Sequence, residues 1–286
     1  MIQWRKQSSV VMAVSVVVAV LVLSQMAMYE AHLLLGVKLH RNLFDICASL
    51  FRSNPLSYYL ISVLLNLLVA YTLAIGLFRS IQQFYLIRKF RVRLSMLVHK
   101  PLTAQMNDKF RRAKQDIIVV RNDQLLALTM GFRKPRIVLS TGLLDLLDEQ
   151  ELKAVVEHES YHQLNHDAAK IFLLQMISQA LWFIPVTKWS YHNYRIISEL
   201  SADDHAIRTM GNEISLGSAL LKMIKLDTSK NEMPVLVHFA DVSINYRLSQ
   251  LVNPRRAIPV RLDSKSLMIS VLVLIILMGM ILLTGA

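Results

Sequence analysis

From Val10 to Leu35 the chain is almost continuously apolar. As a helix rising about 1.5 Å per residue, such a run crosses a hydrocarbon core of about 30 Å. Leu56–Phe78 and Leu267–Thr284 repeat the pattern. Apolar residues make up 54% of the chain, and their concentration in these runs points to a bilayer rather than to a large soluble core. Glu30 and His32 fall near the far end of the first run, where water or headgroups reach them. A cleaved signal peptide is the rival reading of that run. Its apolar region is shorter, about 7–15 residues, and no small-x-small cleavage site is evident.

The formal net charge of +12 invites a nucleic-acid reading, but the basic residues cluster behind apolar runs. Arg79, Arg88, Lys89, Arg91 and Arg93 follow the second run, while Arg5 and Lys6 precede the first. Cytoplasmic flanks of membrane helices carry this bias, and no helix-turn-helix or zinc-finger spacing accompanies it. No direct nucleic-acid partner is expected. Both flanks read as cytoplasmic, with Lys38–Asn54 outside; Lys38, Arg41 and Arg52 weaken that signal. The resulting expectation is a multi-pass cell-membrane protein whose central domain faces the cytoplasm. A single cysteine, Cys47, excludes an intramolecular disulfide and a cysteine-rich metal site.

Three regions follow. Residues 1–98 hold two transmembrane helices and a basic cytoplasmic or interfacial helix, residues 99–265 form the working domain, and 266–286 form a C-terminal span. Within the middle region Ile117–Val120, Leu125–Thr129 and Arg136–Ser140 are β-prone. Arg121-Asn122-Asp123 and Gly131–Pro135 separate them. A small β-meander is the expected arrangement, with Arg136–Ser140 a candidate exposed edge for strand addition to a peptide or a purely structural strand. Beyond Thr141 the pattern is helical.

Residues 157–162 read Glu-His-Glu-Ser-Tyr-His and contain H-E-x-x-H. The motif has chemical meaning on a helix, where residues i and i+4 share a face. Asp148 with Glu151 three residues on forms a capping-box signature, and neither Gly nor Pro interrupts Glu149–Phe183. His158 and His162 then offer two imidazoles to one Zn²⁺, and Glu159 stands beside the open position as general base. A helix with two solvated histidines is the bland alternative.

A catalytic zinc takes three protein ligands and one exchangeable position. Glu199, on a helix expected to end near Gly211, is the candidate third ligand. Asp203, one turn later, is placed to accept the second ring N–H of a ligating histidine. His166 shares a face with His162 but lies about 12 Å along the helix from His158, so it reads as a polar surface residue. His205, His238 and Arg247 are candidate oxyanion donors, and spacing does not choose among them.

Leu128–Lys225 resembles the membrane metallopeptidases of the bacterial β-lactam sensor-transducers, the BlaR/MecR type, within the wider gluzincin group. The resemblance is carried by Gly131–Ser140, by His158-Glu159-Ser160-Tyr161-His162 with Asp167 beyond, by Trp182-Phe183-Ile184-Pro185 and by Glu199-Leu200-Ser201-Ala202-Asp203. It implies a mainly α membrane protein with a gluzincin-like zinc domain inserted between transmembrane helices. The implied activity is a zinc metalloendopeptidase acting on a cytoplasmic or membrane-proximal protein, such as a repressor or the protease itself. With two spans before the zinc domain rather than three, and no extracellular penicillin-binding domain expected after the last span, β-lactam sensing does not carry over. A housekeeping endopeptidase of the heat-shock or prenyl-protein type and a non-catalytic signalling scaffold are the alternatives. The expected partners are a protein substrate and the bilayer, with a homo-oligomer left open.

Ile171–Val186 is apolar and separates His162 from Glu199. Three ligands of one ion must lie on one side of a membrane, so this segment does not cross. It either dips into the bilayer or lies at its interface near 171–187, turning near Pro185 with Trp182 and Trp189 at headgroup level, or forms a buried core helix.

Overall fold

A computed structural model describes residues 2–35, 54–226, 240–252 and 264–283. Most of the predicted Lys38–Asn54 loop, together with His238, lies outside the described residues. The order is α1 (Ile2–Leu35), α2 (Pro55–Met96), α3 (Lys100–Lys109), β1 (Ile117–Val120), β2 (Ala127–Met130), β3 (Arg136–Ser140), α4 (Thr141–Leu146) and α5 (Glu149–Asn165). Then come α6 (Asp167–Ala180), α7 (Pro185–Met210), α8 (Ile214–Leu226), α9 (Ala240–Val252) and α10 (Ser264–Leu283). The protein is thus mainly helical, with one small sheet.

The chain divides into two compact units. One comprises Met1–Ser9, Gln83–Phe172 and Asn193–Pro259; the other comprises Val10–Gln82, Leu173–His192 and Val260–Ala286.

The second unit holds most of the apolar runs. Lys6–Ala31 and Pro55–Met96 are long and apolar enough to cross a membrane, while the third run contributes a shorter apolar stretch at Ser264–Val273. Val18, Ala19, Val22, Met26 and Tyr29 of α1 share a core with Val69 of α2 and with Ile177, Leu181, Ile184 and Val186. The apolar segment between the predicted ligands therefore packs with both candidate spans. It forms a helical hairpin, and α7 begins at Pro185, where the missing proline N–H costs no hydrogen bond. The next donor, Val186 N–H, is satisfied by Ser270 Oγ at 2.9 Å.

The first unit is built on the three-stranded sheet. Its order is β1-β3-β2, with β1 parallel and β2 antiparallel to β3. This corrects the predicted meander, which would pair β1 with β2. β3 enters between them, so Arg136–Ser140 is the central strand and not an exposed edge. The reason is visible in burial: Ile137, Val138 and Leu139 are all essentially inaccessible, as a strand covered on both faces and both edges requires. Ile117, Val119, Ile137 and Leu139 face a core shared with Leu152, Val155 and Val156 of α5. Val120, Leu126 and Val138 face another core with Leu94 of α2.

The two edges of this sheet differ. On β1, Asn107 donates to Ile117 O at 2.8 Å and accepts from Ile117 N–H at 3.1 Å, copying a neighbouring strand. Thr103 Oγ1 accepts from Val119 N–H at 3.0 Å, and Val119 O accepts from His99 N–H at 2.8 Å. That edge is sealed. On β2, Ser140 N–H donates to Leu126 O at 2.9 Å, and alternation along an antiparallel pair turns Leu128 and Met130 toward β3. The backbone groups of Ala127 and Thr129 consequently face outward. Among the described residues, no backbone hydrogen bond reaches them from that side.

Candidate metal centre

The metal helix is α5. Asp148 caps it by accepting from Gln150 N–H and Glu151 N–H, both at 2.9 Å, while Glu151 returns a bond to Asp148 N–H. This is the capping box expected from the sequence. Burial alone would raise the Glu151 carboxyl's pKa. Hydrogen bonds from Lys222 and Ser218 outweigh that and hold it below the usual carboxylate range.

At the other end α5 stops at Asn165 although neither Gly nor Pro is present. His166 adopts a left-handed conformation, φ 53°, uncommon for a residue with a Cβ. Its ring Nδ1 lies 3.2 Å from Phe132 O, and the residue is exposed. The break allows Asp167, the first residue of α6, to reach back under His162. Its Oδ2 lies 2.9 Å from His162 Nδ1, and its Oδ1 accepts from the Tyr194 hydroxyl at 2.8 Å.

His158, Glu159, His162, Glu199 and Asp203 are all buried. Asp203 Oδ1 lies 2.8 Å from His158 Nδ1. Each ring thus has its Nδ1 beside a carboxylate, through a hydrogen-bond contact at His162 and a close charge contact at His158, an arrangement that favours a proton on Nδ1 and leaves Nε2 to face a metal. Their two Nε2 atoms converge at 3.2 Å. Glu199 closes the triangle, with Oε2 3.5 Å from His158 Nε2 and Oε1 3.6 Å from His162 Nε2.

Tetrahedral zinc with ligands at about 2.0–2.1 Å separates its donors by roughly 3.3 Å. The observed separations match, and the three residues form a group able to hold a metal ion. The donors also fit chemically. Two imidazole nitrogens and a carboxylate are a donor set that suits Zn²⁺.

Arg247, partly buried on α9, makes a two-pronged pair with Asp203, 2.8 Å on each arm, and its Nη1 is 3.3 Å from Glu199 Oε2. Burial opposes every charge here, yet the charges stabilise one another. Although desolvation pushes the other way, Glu199 is held down to about 2 by His158, His162 and Arg247. Asp203 is lowered by Arg247 and His158. Burial would lower His162, but Asp167, Glu199 and Glu159 lift it to about 9. His158 is raised by Asp203 and Glu199 against both burial and the Arg247 charge.

Glu159 sits beside the cluster. Thr129 Oγ1 lies 2.8 Å from its Oε2 and 2.9 Å from its backbone O. Of the candidate oxyanion donors, Arg247 is engaged by carboxylates. His205 is half-buried, its Nε2 3.7 Å from Glu157 Oε2 and its ring stacked 5.6 Å from Tyr161. The structure thus brings together six predicted residues, His158, Glu159, His162, Glu199, Asp203 and Arg247, and adds Thr129, Asp167 and Tyr194. Asp167 stood in the quoted motif without a role. Thr129 and Tyr194 carry no sequence signal, because a threonine in a strand and a tyrosine in a helix are ordinary.

Residues 49–251 match the BlaR1 peptidase M56 family. The chain belongs to that family. A relative, regulatory protein BlaR1 of Bacillus licheniformis, is 25% identical over 168 residues, covering 57% of this chain and 28% of the relative. The chain therefore matches less than a third of that protein's length. Members of the peptidase M56 family are membrane-associated and generally metal-dependent, in keeping with the apolar helices and the His-His-Glu group.

Proposed function

We propose that this protein is a membrane-embedded zinc endopeptidase, its zinc held by His158, His162 and Glu199 and its general base Glu159. The convergence of two Nε2 atoms and a carboxylate beside a second, unliganded carboxylate carries this reading. The working unit, a gluzincin-like domain set between transmembrane helices, faces the cytoplasm, and the hairpin Leu173–His192 lies in or against the bilayer. The substrate is a cytoplasmic or membrane-proximal protein, such as a regulatory repressor or the chain itself.

Bound Zn²⁺ supplies Lewis acidity toward the scissile carbonyl. Glu159 takes a proton from the attacking water and returns it to the leaving nitrogen. The outward-facing backbone of Ala127 and Thr129 offers an extended peptide a strand to pair with, and Thr129's contact with Glu159 places that edge beside the base. Asp203 and Asp167 hold the two imidazoles in one tautomer and orientation. Burial of the cluster keeps bulk water from screening these charges.

The test compares the protein termini in cells expressing the wild type with those in cells expressing Glu159→Gln at equal levels. New termini in a cytoplasmic or membrane-proximal protein, lost in the variant while its zinc content is kept, are the expected result. Identical termini in both strains exclude peptide hydrolysis and leave a metal-binding scaffold.

A further inference from the structure

Resting on the assignment of Glu159 as general base, the geometry points to Thr129 as a positioning residue whose hydroxyl anchors the Glu159 carboxylate by Oε2 against its own helix and turns Oε1 toward the reacting water. The hydroxyl has one hydrogen and two acceptors in range, Glu159 Oε2 at 2.8 Å and Glu159 O at 2.9 Å. Both belong to the same residue. Among the described residues, no hydrogen bond engages Oε1, which leaves that oxygen to meet the water.

Strand geometry sets this arrangement. Thr129 pairs with Ile137 in the antiparallel ladder, and residues directly opposite share a face of the sheet. Ile137 belongs to the core that includes α5, so the Thr129 side chain meets the metal helix while its backbone faces the open edge. A single residue thus touches the base with its side chain and offers its main chain to an incoming peptide.

The proton count closes without Thr129 losing its own. The Thr129 O–H donates to Oε2, fixing the carboxylate's rotation. As the water O–H bond breaks, its proton moves to Oε1 and the water oxygen bonds to the carbonyl carbon. When the C–N bond breaks, Oε1 gives that proton to the nitrogen. Thr129 keeps an acceptor on Glu159 throughout.

Thr129→Val keeps the shape and the β-propensity but removes the hydroxyl; Thr129→Ser keeps it. Both are made in the full chain, with Glu159→Gln as the reference for no turnover. In cells the readout is the rate at which Glu159-dependent termini appear. With purified full chain in detergent, the readout is hydrolysis of a synthetic peptide spanning that cleavage site. We expect Thr129→Val to lower kcat about tenfold with KM and zinc content unchanged, and Thr129→Ser to restore kcat to within about twofold of wild type. Wild-type kcat in Thr129→Val overturns the proposal. Equal slowing by Ser and Val, or loss of zinc with the hydroxyl, also overturns it, because the role is then packing or metal retention. A wild type indistinguishable from Glu159→Gln removes the base itself and the Thr129 role with it, a failure recognisable as different from the others.

Discussion

His158 and His162 look equivalent along α5, one turn apart with a carboxylate behind each, yet the two arms are supported differently. Behind His158 stands Asp203, tied by a partly buried guanidinium from α9. Behind His162 stands Asp167, tied among the described residues by the hydroxyl of Tyr194. One arm is a chain of charges and the other ends in a neutral donor. Removing a buried charge strands its partner, whereas removing a hydroxyl leaves one hydrogen bond unmade. The arms should therefore fail in different ways, although both hold an imidazole by the same kind of contact.

The largest separation is expected in the zinc-free fold. Asp203→Ala leaves the Arg247 guanidinium without its main partner and should cost about 3–5 kcal/mol. Asp167→Ala leaves the Tyr194 hydroxyl and the His162 ring without their acceptor; the ring can shed its proton where a guanidinium cannot, so the cost should be smaller, about 1–3 kcal/mol. Urea unfolding of the two variants in detergent checks this, and equal costs would dissolve the distinction between the arms. Next, Asp203→Asn and Asp167→Asn should each weaken zinc binding about 10–100-fold, because either change removes the negative charge that makes the imidazole a stronger donor to the metal. Competition with a chromogenic chelator measures it, and an unchanged affinity in either variant removes that arm from the metal centre.

The pH dependence is smaller and sharpens the comparison. In the zinc-free protein His162 titrates near 9, against 6.5 for an unperturbed histidine. A raised pKa stabilises the fold fully below 6.5, and that contribution is lost as pH rises through 9. Zinc requires the neutral ring, so its apparent affinity should climb from pH 6.5 to 9, by at most about tenfold per unit from His162, and level off above. A pH series of zinc titrations tests this; a flat profile would show that His162 carries no proton for zinc to displace. The smallest effect belongs to Tyr194→Phe, about 1 kcal/mol in unfolding. A loss as large as that of Asp167→Ala would show the hydroxyl, not the carboxylate, to be the arm's foundation.

How much of this was legible in the sequence follows from what is local. The capping box, the shared face of His158 and His162, the end of α7 at Met210 before Gly211 and the three β-prone runs all depend on residues within a few positions of one another. Glu199 and Asp203 could be read because they recur one turn apart on a later helix. Strand order could not be read. The insertion of β3 between β1 and β2 depends on which faces the helices cover, and no turn signal encodes that. Asn107 reads as an ordinary helical residue until its amide is seen imitating a strand. The left-handed turn at His166 carries no glycine to announce it. Arg247 is separated from Asp203 by more than 40 positions, so its charge could be noticed but not its partner.

That turn at His166 has a consequence for how this sequence tolerates insertion and deletion. α6 starts at Asp167, and each residue added between His166 and Asp167 would rotate the following helix by about 100° and advance it by about 1.5 Å. One added residue would carry the carboxylate to another side of the helix, away from the imidazole it now meets. The joint works as a ruler of fixed length, and a chain that shares the histidine pair but spaces its acid differently must find another way to brace the ring.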